Sequence, residues 1–279
     1  MKQIKLLFLL ASVSVTGAFA QSNGLTDMSQ SRYAKMANTG IDAVHWTNGF
    51  WGERFNVFSG TSLQSMWNTW NTPEVSHGFR NFEIAAGVCK GEHWGPPFHD
   101  GDMYKWMEGV ASVYAVNKDP ELDKLMDNFI ACVVKAQRAD GYIHTPVVIE
   151  ELNKGIDSHT LADSQQQTVI GTKVGSEDEK GAFANRLNFE TYNLGHLMMA
   201  GIVHHRATGK TTLLDAAVKA TDFLCHFYET ASAELARNAI CPSHYMGVVE
   251  MYRATGNPRY LELSKNLIDI RGMVESGTD

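Results

Sequence analysis

The 279-residue sequence holds only four cysteines, Cys89, Cys132, Cys225 and Cys241, and no two of them form a CxxC pair or a zinc-ligand spacing. There is no HExxH segment and no GxSxG segment, which excludes the zincin and nucleophile-elbow layouts. Gly209-Lys210-Thr211 looks like the tail of a phosphate-binding loop, but His204 stands where the first glycine of that loop belongs. The neighbouring His204-His205 is not a metal pair, because adjacent helical residues point about 100° apart. An excess of positive charge is also missing: Lys and Arg number 24 against 31 Asp and Glu, a net charge of -7. Nucleic acid, whose phosphates want a basic face, is thereby disfavoured, whereas a neutral polar ligand such as a sugar fits without strain. Beyond the first twenty residues no apolar run is long enough for a membrane helix.

The start of the chain is built for export. Lys2 and Lys5 precede the apolar run from Leu6 to Val15, and Ala18-Phe19-Ala20 offers a small-x-small cleavage site before Gln21. Residues 1–20 read as a secretory signal peptide, with a retained anchor as the alternative. No cysteine follows the cleavage site, so a lipid anchor is not expected. The expected destination is the periplasm or the cell exterior, and the mature chain is expected to leave the membrane. There the cysteines could pair, although their irregular spacing favours thiols buried on helices.

Hydrophobic residues make up 44% of the chain, enough for a sizeable core. Val44 to Trp70 is aromatic-rich, and its second half reads as a helix. Asn71 to Pro97 reads as loop, with several glycines and the Pro96-Pro97 pair. Three helical hairpins follow: about Asp102 to Gln137, Tyr192 to Tyr228 and Ser243 to Ile270. Asp119 and Pro120 suit the cap and first turn of a helix. The last two hairpins repeat at a period of about 47 residues, Ala207-Thr208-Gly209 matching Ala254-Thr255-Gly256. Each such unit buries its face against the next, so a solenoid or a closed barrel is expected, as a single all-α domain over residues 21–279. The polar stretch Thr145 to Asn188 is either a functional loop or a plain surface insertion.

The hairpin starts carry the chemistry. His99-Asp100-Gly101-Asp102 with Tyr104 and Trp106, Glu190 with Tyr192 and His196, and Ser243-His244-Tyr245 occupy equivalent places. If the first helix of each hairpin lines the barrel, these ends share one mouth, where carboxylates and imidazoles bind hydroxyls and aromatic faces cover a sugar ring. Asp102, Trp106, Glu190, Tyr192, His196 and His244 are the candidate substrate-binding residues. The plainer alternatives remain open: Asp100, Asp102 or Ser243 as helix caps, and His196 as a satisfied core histidine.

At these residues the chain resembles a known family. Tyr192-Asn193-Leu194-Gly195-His196 is similar to the YNxGH segment of the β-L-arabinofuranosidase-like proteins, glycoside hydrolase family 127 and its relatives. Asn81-Phe82-Glu83-Ile84-Ala85-Ala86-Gly87 resembles their NFRxAAG, Asp102-Met103-Tyr104-Lys105-Trp106 their DVYKW, and Asp140-Gly141-Tyr142-Ile143 their DGYL. Trp51-Gly52-Glu53-Arg54 matches an early GFWGER stretch, and Tyr252-Arg253-Ala254-Thr255-Gly256 with Arg259-Tyr260-Leu261 a hairpin turn. The resemblance implies an (α/α)6 barrel and release of β-linked L-arabinofuranose from plant glycans. It also implies, for a full-length protein, a zinc-bound cysteine nucleophile with a glutamate acid/base, acting with retention through a thioglycosyl intermediate.

The four cysteines lie in no CETC-like or CCP-like segment, so no nucleophile, acid/base or zinc ligand is assigned to this chain. His196 carries over as a sugar-contacting histidine, and His244 less directly, because it stands nearer its Ala-Thr-Gly turn. About seven helices are expected where a closed barrel needs twelve. The chain is then a piece of a longer product or pairs with another chain, the former being favoured. Three functions fit: a glycosidase on plant-type glycans, a non-catalytic exported sugar-binding protein or inactive remnant, and a helical scaffold.

Overall fold

The computed structural model describes residues 24–156, 183, 189–231, 236 and 243–271, excepting the side chains of Ser243, His244 and Arg271. The signal peptide, most of the stretch between Ile156 and Phe189, and Cys241 lie outside the described residues. Among the described residues the regular structure is all helix and no strand occurs. The all-α reading holds.

The helices are α1 (Gly49–Val57), α2 (Leu63–Trp70), α3 (Gly78–Ala85), α4 (His99–Asn117), α5 (Pro120–Ala136), α6 (Thr145–Asn153), α7 (Glu190–Thr208), α8 (Thr212–Thr230), α9 (Ser243–Thr255) and α10 (Pro258–Arg271). A π-helical turn, Phe58–Ser62, joins α1 to α2. The three expected hairpins are α4/α5, α7/α8 and α9/α10. Their turns use the residues that the sequence singled out. Asp119 accepts a hydrogen bond from the Glu121 N–H at 2.9 Å, with Pro120 in the first turn of α5. Gly209 and Gly256 both sit in the left-handed region, at φ 78 and 72. A side chain is strained there, so the recurring glycine is a backbone requirement of each turn.

Two layers follow from the burial pattern. α4, α7 and α9 lie side by side as one wall, with α7 between the other two. α7 is apolar nearly all round, burying Leu194, Leu197, Met198, Ile202 and Val203, as expected of a helix packed on several sides. α5 and α8 pack behind this wall and against each other, and α10 packs on α8. α5 buries a single stripe, Met126, Phe129, Ile130, Val133 and Ala136, at helical spacing and leaves the other side to water.

Two elements correct the sequence reading. Asn71 to Pro97 contains α3, and the polar stretch Thr145 to Asn188 begins with α6. Both helices are under ten residues, too short to show a clear period, and α3 is bounded by glycines. α3 packs on α4, α5 and α6 and buries Phe82, Ile84 and Ala85 in the same core.

A candidate sugar-binding site at the leading ends of α4 and α7

The first turns of α4 and α7 meet at Gly101. A Cβ there would lie 2.6 Å from the Tyr192 ring and 2.8 Å from Asn193 Oδ1. Only glycine lets the helices approach this closely, and the approach brings two sets of polar groups together.

The first set is buried. Asp100, 1% exposed, does not cap its helix; the cap position is Phe98. Its carboxylate instead accepts from the Thr145 N–H at 2.7 Å and the Thr145 hydroxyl at 2.6 Å, and stands 3.5 Å from His144 Nδ1. Asn193 binds the same corner. Its Oδ1 accepts from Gly101 N–H at 2.8 Å, and its Nδ2 donates to the Pro97 carbonyl at 3.0 Å and lies 3.3 Å from His144 Nδ1. His144 is thus held from one side of its ring, while its Nε2 has no hydrogen-bond partner among the described residues. His144 is fully buried, and an unpartnered ring nitrogen in such a place is an incomplete polar group, able to donate to or accept from a hydroxyl that reaches it.

Glu190 lies beside this corner, also buried. Its carboxylate accepts from the Tyr142 hydroxyl and, at 2.9 and 2.8 Å, from the Phe183 N–H. Burial pushes its pKa up, against the pull of His144, Tyr142 and the Phe183 N–H. The carboxylate is therefore engaged in joining α7 to the Tyr142 and Phe183 loops. The hydroxyl of fully buried Tyr104 has no partner among the described residues; burial, then nearby Asp100, keep it protonated well above the ordinary tyrosine range.

The second set faces the open side of the wall. On α4, Asp102, Lys105 and Glu108 recur at three-residue spacing; on α7, Tyr192 and His196 are one turn apart. Lys105 pairs with Asp102 at 2.7 Å, hydrogen-bonds the Tyr192 hydroxyl and lies 5.0 Å from that ring's centroid. Burial draws the Lys105 pKa down, but the bonds to Asp102 and Tyr192 outweigh it and keep the ammonium charged. His196 packs edge-on to Tyr192 at 4.6 Å. Its Nδ1 is 3.9 Å from Glu108 Oε1, beyond hydrogen-bond reach.

Of the six candidate residues, the structure brings Asp102, Tyr192 and His196 together on the open face and sets Glu190 behind them. It does not bring Trp106 there. That indole is 2% exposed, stacks on Trp67 at 5.0 Å and donates to the Leu63 carbonyl at 3.3 Å. One residue beyond Lys105 on a helix turns the side chain about 100°, into the core. His244 starts α9, and its side chain lies outside the described residues. Sequence reasoning missed His144 and Asn193. Both sit within or next to segments already singled out, at Asp140–Ile143 and Glu190–His196, and a histidine between Ile143 and Thr145-Pro146 was the available signal. Asp100 was read as one of the polar groups of its hairpin start, with capping as the plainer alternative, and was not among the six candidates.

A group able to hold a metal is a separate question. Among the described residues no three His, Cys, Asp or Glu side chains are arranged to bind an ion. The thiols are not poised as thiolates either: burial raises the pKa of Cys89 and Cys132 and pushes Cys225 up to about 11. These residues do not fit a zinc–thiolate centre.

At the other end of α4 lies an apolar groove of about 550 Å³, lined in part by Trp46, Phe55, Phe58, Ser112 and Val116. It carries no ionisable side chain.

Residues 43–278 match the β-L-arabinofuranosidase GH127 catalytic domain. The non-reducing end β-L-arabinofuranosidase of Bifidobacterium longum subsp. longum is 32% identical over 197 residues, 71% of this chain and 27% of that protein. A solved glycoside hydrolase is 73% identical, with a TM-score of 0.63 over 92% of this chain and 31% of its own. A GH127 β-L-arabinofuranosidase from Geobacillus stearothermophilus T6 is 29% identical, with a TM-score of 0.64 over 84% of this chain and 33% of its own. The chain thus spans a third or less of the length of these relatives. It belongs to the GH127 β-L-arabinofuranosidase catalytic-domain family.

Proposed function

We propose that the leading ends of α4 and α7 bind the terminal β-L-arabinofuranose of a plant-type glycan, as part of an exported enzyme that releases this sugar with retained configuration. The carrying observation is the His144 ring, fixed by Asp100 and Asn193 with its Nε2 unpartnered among the described residues, beside the open row of Asp102, Lys105, Tyr192 and His196. Fixed donors and acceptors of this kind orient a polyhydroxylated ring without a large entropy cost on binding. The family and the Bifidobacterium relative support the choice of sugar. His144 and His196 contact sugar hydroxyls, Lys105 and Asp102 hold the rim, and Glu190 positions the start of α7. Export rests on residues 1–20; mature protein from the native host should begin at Gln21.

The second reading, binding without turnover, draws on one observation: none of the described cysteines is activated, and no metal-binding group accompanies them. Two assays separate the readings. Calorimetric titration with methyl β-L-arabinofuranoside should show binding that His144→Ala and His196→Ala each weaken about tenfold, near the 1.4 kcal/mol that one good hydrogen bond to a sugar contributes. Unchanged affinity in both variants would refute the site. Hydrolysis of an aryl β-L-arabinofuranoside by the purified chain supports the enzyme reading; binding without hydrolysis supports the second.

A further inference from the structure

One feature of the same mouth has no part in holding the terminal sugar: the indole of Trp94, which is 52% exposed. Exposed indoles are common enough, but this one is mounted on a fixed backbone. Asn81, fully buried on α3, donates from Nδ2 to the Trp94 carbonyl at 3.0 Å and accepts from the Trp94 N–H at 3.3 Å. Three residues on, Asn193 of α7 holds the Pro97 carbonyl at 3.0 Å. Between the two anchors Gly95 takes φ 98, and a Cβ there would lie 2.7 Å from the His99 ring. The segment can cross His99 at this height only with glycine. One end of the Trp94 loop is thus tied to α3 and the other to α7, the latter by the same Asn193 that lies against His144.

The neighbours of Trp94 are polar rings rather than core. His77 lies against the indole, centroids 5.0 Å apart and planes 58° apart, and its Nδ1 is buried without a partner among the described residues. His93, next in the chain, has a buried Nε2, also without a partner among the described residues. It feels the charges of Asp100, His144, His99 and His77, so it lies close to the buried set described above. A half-exposed indole beside an imidazole offers what a sugar ring needs: a flat apolar surface for its C–H face and a hydrogen-bonding group for its hydroxyls.

We propose that Trp94, with His77 beside it, forms a second sugar subsite. It takes the ring next to the terminal arabinofuranose, a neutral unit on the leaving side of the bond. The proposal rests on the reading that the His144 corner holds the terminal sugar. It makes the protein select for a chain of at least two sugars rather than for the terminal sugar alone.

The test compares two ligands by calorimetry: methyl β-L-arabinofuranoside and a β-linked L-arabinofuranosyl disaccharide. Wild type should bind the disaccharide about tenfold more tightly, the increment expected of one aromatic stacking contact. In Trp94→Ala that ratio should fall to near one, and Trp94→Phe should keep part of it. Thermal melting of both variants checks that the fold persists, which a half-exposed side chain predicts. Equal affinities for the two ligands in wild type, or a ratio untouched by Trp94→Ala, would overturn the subsite while leaving the His144 reading intact. No binding of either ligand by wild type would overturn both.

Discussion

Asp100 is the residue on which the site's rigidity depends. Its two oxygens hold the Thr145 N–H and hydroxyl, and one also faces His144. Removing it leaves two buried donors unsatisfied, which costs about 2–4 kcal/mol. Asp100→Ala should therefore lower the chemical-denaturation free energy by about that amount; a loss under 0.5 kcal/mol would show that water replaces the carboxylate. A second prediction concerns pH. His204 is fully buried with neither ring nitrogen bonded among the described residues, and burial lowers its pKa to about 4; burial does the same to His93. An unfolded histidine takes up its proton near pH 6.5, so between pH 6.5 and 4 the unfolded chain holds more protons than the folded one. Stability is then fully present above about 6.5 and is lost as pH falls toward 4. His204 alone accounts for roughly 3 kcal/mol of that loss. His204→Leu should flatten the dependence of the denaturation midpoint on pH over this window; an unaltered slope would rule the residue out. At this scale the sequence was only partly legible. Tyr192 and His196 could be placed because i, i+4 spacing puts them on one ridge. Trp106 could not, because one step along a helix separates an open face from a core, and no pattern marks which side the barrel wall will cover.

The helices pack as closely as their glycines allow. A Cβ on Gly247 of α9 would lie 2.7 Å from the Gly195 carbonyl of α7 and 3.0 Å from Met198 Cβ. The first neighbour is backbone and cannot swing aside, so Gly247→Ala must separate the two helices. Overpacking of this kind costs about 1–3 kcal/mol, and a melting temperature equal to wild type would contradict the close contact. The last two hairpins were legible because they announce themselves twice, by a 3.6-residue apolar period and by the recurring Ala-Thr-Gly turn, and the first by its period and the Asp119-Pro120 turn. α3 and α6 carry no comparable signal. They are held by tertiary contact, α3 through Phe82, Ile84 and Ala85 in the common core, and their local sequence reads as loop. One missed site residue follows from the same cause: His144 stands at the entrance to α6.

Across the whole molecule, an ionic clasp ties the start of the described chain to the wall. Arg206 of α7 donates to the carbonyls of Gly24 and Leu25 at 3.0 and 2.8 Å and pairs with Glu250 of α9 at 3.4 Å; Glu250 also accepts from the Asp27 N–H at 3.0 Å. Both Arg206 and Glu250 side chains are 2% exposed. Glu250→Ala leaves a buried guanidinium without its carboxylate, a change that costs about 3–5 kcal/mol. Proteolysis near Leu25 should then become fast, and a variant as resistant as wild type would show that the clasp is dispensable. The (α/α) architecture itself was legible from the repeat, because a helical hairpin with one apolar side must stack on its like. The candidate site was legible only as a location, the leading ends of α4 and α7. Which polar groups reach the open face depends on how closely α4 and α7 approach at Gly101, a distance that no sequence period encodes.

The most direct test of the sugar site is a crystal structure of this chain soaked with L-arabinose. The account predicts the sugar at the leading ends of α4 and α7, with a hydroxyl about 3 Å from His144 Nε2 and another within reach of His196. A sugar found only in the apolar groove beside Trp46 and Phe58, at the opposite end of α4, would contradict it.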